Sequence, residues 1–137
     1  MATFEKAHAR TSRNEGGYQC APEDNGNWTG GVRRSGKLIG TKYGISAPVL
    51  KAYLKREPTV EDMKTLSKET SVKIYRRLWW DVMRGDEIED EEMAFQLYDM
   101  GVNAGMGAGI KLFQEQKGIP QTGKVDTLTL NVLNNKV

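Results

Sequence analysis

A mainly α domain (class α+β) with one small β region near its N-terminus is the fold that this sequence predicts. Three observations lead there. Eight of the 15 glycines fall between Gly16 and Gly44; glycine reaches positive φ without steric cost, so that stretch reads as turns and a hairpin. Elsewhere apolar residues recur at spacings of three and four between capping residues, the pattern of helices with one buried face. At 137 residues and 38% hydrophobic composition, the chain is the size of one domain. Such a domain buries roughly 68% of its unfolded surface, enough to fold without a disulfide or metal. No repeat or flexible linker divides it.

The elements follow in order. A first helix is expected over residues 3–14, stopped by Gly16 and Gly17. Residues 31–40 read as two short strands around a turn at Ser35-Gly36. Ser46 caps a helix over 48–55, with Pro48 in the permissive first turn. Thr59 and Asp62 resemble a capping box with Asp in the Glu position, opening a short helix. Ser67 starts another, whose apolar positions Val72, Tyr75, Leu78, Trp79 and Val82 mark one buried face. A long helix covers about 90–103, with Met93, Leu97, Met100 and Ala104 on one side. Helices over 109–117, ended by Gly118, and from the cap Asp126 to Asn134 complete the chain. Gly105-x-Gly-x-Gly109 invites a nucleotide-loop reading, but it follows a helix rather than a strand, so close helix packing is the better account.

Composition excludes several classes. One cysteine, Cys20, forms no disulfide framework within the chain, and one histidine, His8, makes no multi-histidine metal site. No metal or other cofactor is expected. Nothing approaches about 18 consecutive apolar residues, so no membrane span is expected. A net charge of +2 is too small to argue for nucleic acid. Charge is nevertheless uneven: residues 1–60 hold ten basic and five acidic groups, and residues 81–100 hold one basic and eight acidic groups. The acidic run 86–92 lacks the ligand and glycine spacing of a calcium loop and suits a helix start instead. The first 13 residues carry Glu5, Lys6, Arg10 and Arg13 and no apolar run, so they do not read as a secretory signal.

The sharpest local feature is Asn14-Glu15-Gly16-Gly17-Tyr18, a carboxylate at a helix end where the chain turns into a glycine-rich loop. The helix C-terminus carries partial negative charge, which with partial burial raises a carboxyl pKa, as a general acid near neutral pH requires. The plain alternative is a surface Glu beside a Gly-Gly cap. Nine residues on lies Asp24, with Glu23 a competitor for the same role. Two carboxyls, one protonated and one ionised, are the minimum equipment for glycosidic hydrolysis, although Asp24-Asn25-Gly26 is also an ordinary turn. Thr41, in Gly40-Thr41-Lys42-Tyr43-Gly44-Ile45-Ser46, can hold a water near those carboxyls or be simply a strand threonine.

Together these pieces are more specific than any one. Glu15-Gly-Gly-Tyr18, an acidic residue nine later and Thr41-Lys-Tyr-Gly-Ile-Ser46 resemble glycoside hydrolase family 108, lysozymes (N-acetylmuramidases) common among phage endolysins. Ile74-Tyr-Arg-Arg-Leu-Trp-Trp80 looks like the family's aromatic helix, and Asp99-Met-Gly-Val-Asn-Ala-Gly105 like its next helix. Leu112-Phe-Gln-Glu-Gln-Lys-Gly-Ile119 with Thr122-Gly-Lys-Val-Asp-Thr-Leu-Thr129 resembles a peptidoglycan-binding C-terminal portion. The resemblance spans about residues 4–133. Where the family runs from its Asp to the Thr-x-Tyr-Gly-Ile motif in a few residues, residues 25–40 intervene here, including Trp28. Thr122 and Asp126 stand where Asp and Gly are more usual.

The resemblance implies a lysozyme-like helical domain over residues 1–137, with a catalytic portion 1–105 and C-terminal helices 106–137 packed on it. It implies cleavage of the β-1,4 bond between N-acetylmuramic acid and N-acetylglucosamine in peptidoglycan glycan strands. Glu15 would protonate the leaving oxygen, Asp24 would stabilise positive charge or activate water, and Thr41 would place that water. A water-positioning Thr without a secure nucleophile leans to inversion, which needs carboxyls roughly 6.5–9.5 Å apart rather than about 5–5.5 Å. Tyr18 and Tyr43 flank the chemistry and are expected to line the cleft. Of the adjacent Trp79 and Trp80, one is expected in the core and the other, taken as Trp80, against sugar. Asp99 and Asn103 share a helix face and are expected to bind sugar or support the loop. The expected state is a monomer, made in a host cytoplasm without an export signal and reaching the wall through a holin. The rivals are a non-catalytic peptidoglycan-binding protein and a peptidase using Cys20 with His8.

Overall fold

The computed structural model describes residues 2–11 and 16–136. Among them the α-helices are α1 (Phe4–Thr11), α2 (Ala47–Leu54), α3 (Val60–Lys64), α4 (Lys68–Tyr75), α5 (Glu91–Ala104), α6 (Met106–Gln116) and α7 (Thr127–Leu133). Arg76–Trp80 continues from α4 as a π-helical turn, and Asn25–Asn27 and Gly85–Glu87 are 3₁₀ turns. The chain forms two compact units, one of Met1–Arg13 with Tyr75–Val137 and one of Asn14–Ile74. The expected division at 105/106 falls inside the first unit, between α5 and α6.

The first unit is built on aromatic packing. Phe4 of α1, Trp80 and Tyr98 of α5 meet edge-on, with ring centroids 5.9–6.0 Å apart, the arrangement ring quadrupoles favour. Helices α5 and α6 cross closely because both lack side chains at the contact. A Cβ on Gly109 would lie 2.7 Å from the Gly101 backbone nitrogen, so the Gly105–Gly109 spacing does serve helix packing, through Gly109. Buried Gln114 of α6 then ties down the chain beyond it, reaching Thr122, Lys124 and Thr129 at 2.9–3.0 Å. Asp126 caps α7 by accepting from the Thr129 amide at 2.9 Å, so the turn forms without the residues more usual there. The acidic run is a paired helix start: Glu91 and Glu92 meet Lys6 and Arg10, and Asp86 meets Arg76.

In the second unit, Ile39, Ile45, Ala47, Leu50, Met63, Leu66 and Ile74 are buried. The Thr59 hydroxyl accepts from the Asp62 amide at 3.1 Å and the Asp62 carboxylate from the Thr59 amide at 2.8 Å, completing the expected capping box. Arg56 grips the same carboxylate bidentately at 2.7 and 3.1 Å and holds it far below the usual carboxylate range. Ser46 is the residue before α2, but its hydroxyl makes no capping bond.

Three expectations are corrected. The hairpin over 31–40 is not formed: the described residues contain isolated antiparallel bridges at Gln19–Thr41, Trp28–Leu38 and Lys42–Ile45 rather than paired strands. Positive φ at Gly31, Arg34 and Gly36 breaks the extended run a ladder needs, and Gly30–Ser35 closes instead as tight turns. The buried side of the 68–80 segment is displaced, and a π turn interrupts its repeat. The Asp81 amide donates to the Arg76 carbonyl at 2.8 Å. Before the turn the buried residues are Ser71 and Ile74, one place earlier than expected; after it they are Trp80 and Met83, one place later. On α5 the buried residues are Ala94, Leu97, Tyr98 and Gly101, so the face is rotated away from Met93 and Met100.

Candidate active site

The second unit places Asp24 and Thr41 together, and local chemistry explains how. Asp24 precedes the 3₁₀ turn, and its Oδ1 accepts from the Gly26 amide at 2.9 Å. That turn ends in Asn27, which is fully buried. The Asn27 amide joins three segments: Nδ2 donates to Gln19 Oε1 at 2.8 Å and to the Ala21 carbonyl at 2.9 Å, while Oδ1 accepts from Thr41 Oγ1 at 2.7 Å. Gln19 returns the contact, donating to Asn27 Oδ1 at 3.1 Å and to Asp24 Oδ2 at 3.0 Å. Both Asp24 oxygens are therefore held by named donors.

The Asp24 and Thr41 side chains flank one point. A Cβ on Gly26 would lie 3.4 Å from Asp24 Oδ1 and 3.9 Å from Thr41 Oγ1. The Thr41 hydroxyl proton is committed to Asn27, so toward a water its oxygen acts as an acceptor. Asp24 is exposed and Thr41 half-buried, which leaves a solvent-accessible carboxylate beside an anchored hydroxyl.

Residues 16–19 run antiparallel to 41–43. Gln19 and Thr41 exchange both backbone bonds, at 3.0 and 2.9 Å, and the Tyr43 amide donates to the Gly16 carbonyl at 2.9 Å. Lys42–Ile45 then reverses in a two-residue turn with φ of +52° at Tyr43 and +76° at Gly44, positive at both centres as a type I′ turn requires. Tyr18 seats its ring against Gly40, where a Cβ would come within 2.6 Å, and donates its hydroxyl to the Ile39 carbonyl at 3.0 Å. Burial, with the neighbouring Cys20 thiol, pushes the Tyr18 phenol up to about 12. Lys64 lies 5.6 Å from the Tyr18 ring centre and Lys42 lies 5.3 Å from that of Tyr43, and the Lys42 ammonium donates to the Lys64 carbonyl.

Glu15 lies outside the described residues; its neighbour Gly16 is fixed beside Tyr43 as above. The other expected residues belong to the first unit. Asp99 accepts from the Thr11 hydroxyl, at the end of α1, at 3.2 Å, and exposed Asn103 donates back to the Asp99 carbonyl at 2.9 Å. Trp80 is corrected from sugar contact to core: its side chain is fully buried, and its indole N–H donates to Asp86 at 2.8 Å. Trp79 is half-buried and bonds the Gly101 carbonyl. His8 is engaged with Tyr98 at 2.9 Å and stacks on Phe4, and it belongs to a different unit from Cys20.

Gln19 and Asn27 were not foreseen as site residues. Asn27 falls within the intervening residues 25–40, and only its 0% exposure with satisfied partners reveals its role. Among the described residues no group of three or more His, Cys, Asp or Glu side chains is arranged to hold a metal ion, and no helix is long and apolar enough to cross a membrane.

The described residues thus hold a carboxylate, Asp24, and a hydroxyl, Thr41, on a glycine-rich loop in a mainly helical chain. Residues 8–105 match the family model described as Glycosyl hydrolase 108. That is more than two thirds of the chain, which therefore belongs to this family and is a glycoside hydrolase. A solved structure described as "Structure of Brucella abortus SagA" is similar at 27% identity, with a TM-score of 0.77, covering 98% of this chain and 69% of that one. No curated protein matches the chain.

Proposed function

We propose that the protein is an N-acetylmuramidase that hydrolyses the β-1,4 bond between N-acetylmuramic acid and N-acetylglucosamine in peptidoglycan. The observation that carries the reading is the Asn27-centred network, which fixes Asp24 and Thr41 around Gly26 within a chain of this glycoside hydrolase family. Glu15 protonates the departing glycosidic oxygen as positive charge develops at the anomeric carbon. The Asp24 carboxylate takes a proton from the attacking water, and Thr41, its own proton given to Asn27, accepts the other hydrogen and orients the attack. This division of labour places water, not a side chain, at the anomeric carbon and gives inversion.

Tyr18 and Tyr43 border the loop and supply ring surface to the sugar, while Asp99 steadies the end of α1, four residues before Glu15. Asn103 contacts sugar. The 106–137 helices add wall affinity, and the protein acts as a monomeric endolysin that a holin releases to the wall. The test is the chemistry of the products from purified bacterial cell walls. New reducing ends on N-acetylmuramic acid, in the inverted anomeric form, with Cys20→Ala indistinguishable from wild type, are expected. New amino termini without reducing ends would assign a peptidase, anhydro-sugars a lytic transglycosylase, and no product a binding protein.

A further inference from the structure

Beside the Asp24 loop lies a groove of about 560 Å³ lined by Pro22, Glu23, Trp28, Arg33 and Arg34, a volume in the range of small-ligand sites. Its walls belong to that loop: Pro22 and Glu23 immediately precede Asp24, and Trp28 immediately follows the 3₁₀ turn. The Trp28 indole N–H donates to the Pro22 carbonyl at 2.8 Å, so the ring is held across the loop rather than left to rotate. The arginine side is tied on as well, the Arg33 amide donating to Asn25 Oδ1 at 2.9 Å.

Two features ask for a ligand. Neither the Arg33 nor the Arg34 guanidinium forms an ion pair among the described residues, although Glu23 is the single carboxylate on the groove wall. Arg34 also adopts φ of +67°, a left-handed conformation that is unusual for a residue with a long side chain. A flat indole with two neighbouring guanidinium groups matches a ring carrying a carboxylate, since guanidinium pairs bidentately with carboxylates.

We propose that this groove is an accessory saccharide subsite that takes a sugar residue bearing a carboxylate, its ring against Trp28 and its carboxylate on Arg33 and Arg34. The proposal rests on the peptidoglycan reading, in which that carboxylate belongs either to the lactyl group of muramic acid or to a peptide stem attached to it. Occupation there would extend the glycan contact away from Asp24 and favour strands that carry a carboxylate over uncharged ones.

The test is calorimetric binding to full-length protein carrying Glu15→Gln, so that turnover does not consume the probe. Three tetrasaccharides serve: an alternating N-acetylglucosamine and N-acetylmuramic acid chain with free lactyl groups, the same chain with peptide stems, and uncharged chitotetraose. At least one carboxylated probe should bind about tenfold or more tighter than chitotetraose, and the tighter of the two names the source. Arg33→Ala with Arg34→Ala should abolish that preference, and the double Lys variant should restore part of it. Trp28→Ala should weaken all three; where it lowers the melting temperature, the arginine variants decide. Equal binding of charged and neutral probes, or a preference that survives loss of both arginines, would overturn the subsite. Neither result bears on hydrolysis, which is read separately from reducing ends released by the wild-type protein.

Discussion

Asn27 is the residue on which the candidate site depends most. Replacing it by Ala would remove the partner of the Thr41 hydroxyl, the Gln19 amide and the Ala21 carbonyl. Gln19 is exposed and the other two are half-buried, so water recovers part of each bond and the whole network is worth about 1–3 kcal/mol. A loss of that size in denaturant unfolding is expected, with a fall in kcat larger than any change in KM. Gln19→Ala keeps Asn27 in place but removes one of the two Asp24 donors, so it should lower kcat with little loss of stability. An unchanged kcat in both variants would show that the network only holds the loop. Part of this was legible in the sequence: Asp24 and Thr41 could be named only because the pattern Glu15-Gly-Gly-Tyr18, an acidic residue nine later and Thr41-Lys-Tyr-Gly-Ile resembles the family, since each alone is also an ordinary turn or strand residue. The amides could not, since a buried Asn and a surface Asn look alike until their partners are known. Trp80 misled for a similar reason. Adjacency of Trp79 and Trp80 says that one is buried but not which, and the π turn decides.

Among the elements, helices with strong caps were foreseen well and their buried faces less so. The Thr59–Asp62 box and the Asp126 cap depend on side chains a few positions apart, which sequence displays directly. The buried faces of α4 and α5 depend on partners distant in sequence, and a π turn interrupts the repeat that continues from α4. The hairpin failed because glycine permits strands to turn but does not make strands, and a run of positive φ excludes them. Two variants probe this level. Gly109→Ala would push a methyl against the α5 backbone and should cost about 1–3 kcal/mol, the usual range for overpacking, where an ordinary exposed Gly→Ala in a helix would stabilise. Asp62→Ala should cost about 1 kcal/mol through the lost cap. Because Arg56 and the Thr59 amide depress the Asp62 carboxyl, the stability it contributes is present above the usual carboxylate range. The gap between variant and wild type should therefore narrow as pH falls through and below that range, measured by urea midpoints.

For the molecule as a whole, the tyrosines set an alkaline limit. Tyr98 is fully buried, and burial, then the neighbouring Tyr75, raises its phenol far above the ordinary value; Tyr18 is pushed up to about 12. A phenol with a raised folded-state pKa keeps its full contribution to stability below its unfolded value of about 10 and loses it as pH climbs toward the folded value. Unfolding free energy should thus decline above about pH 10, and absorbance titration should find the Tyr18 and Tyr98 phenols still protonated at that pH. Tyr98→Phe should flatten that decline; an unaltered alkaline limb would contradict the assignment.

The family places this chain among glycoside hydrolases, and the central claim is that its chemistry turns on Glu15 acting with the Asp24 and Thr41 loop. The most direct measurement is the rate of reducing-end release from purified cell walls by Glu15→Gln, compared with wild type at matched melting temperature. A proton donor contributes roughly 10²–10⁴-fold to such a reaction, so a loss of that size is predicted. Release within threefold of wild type would contradict the account.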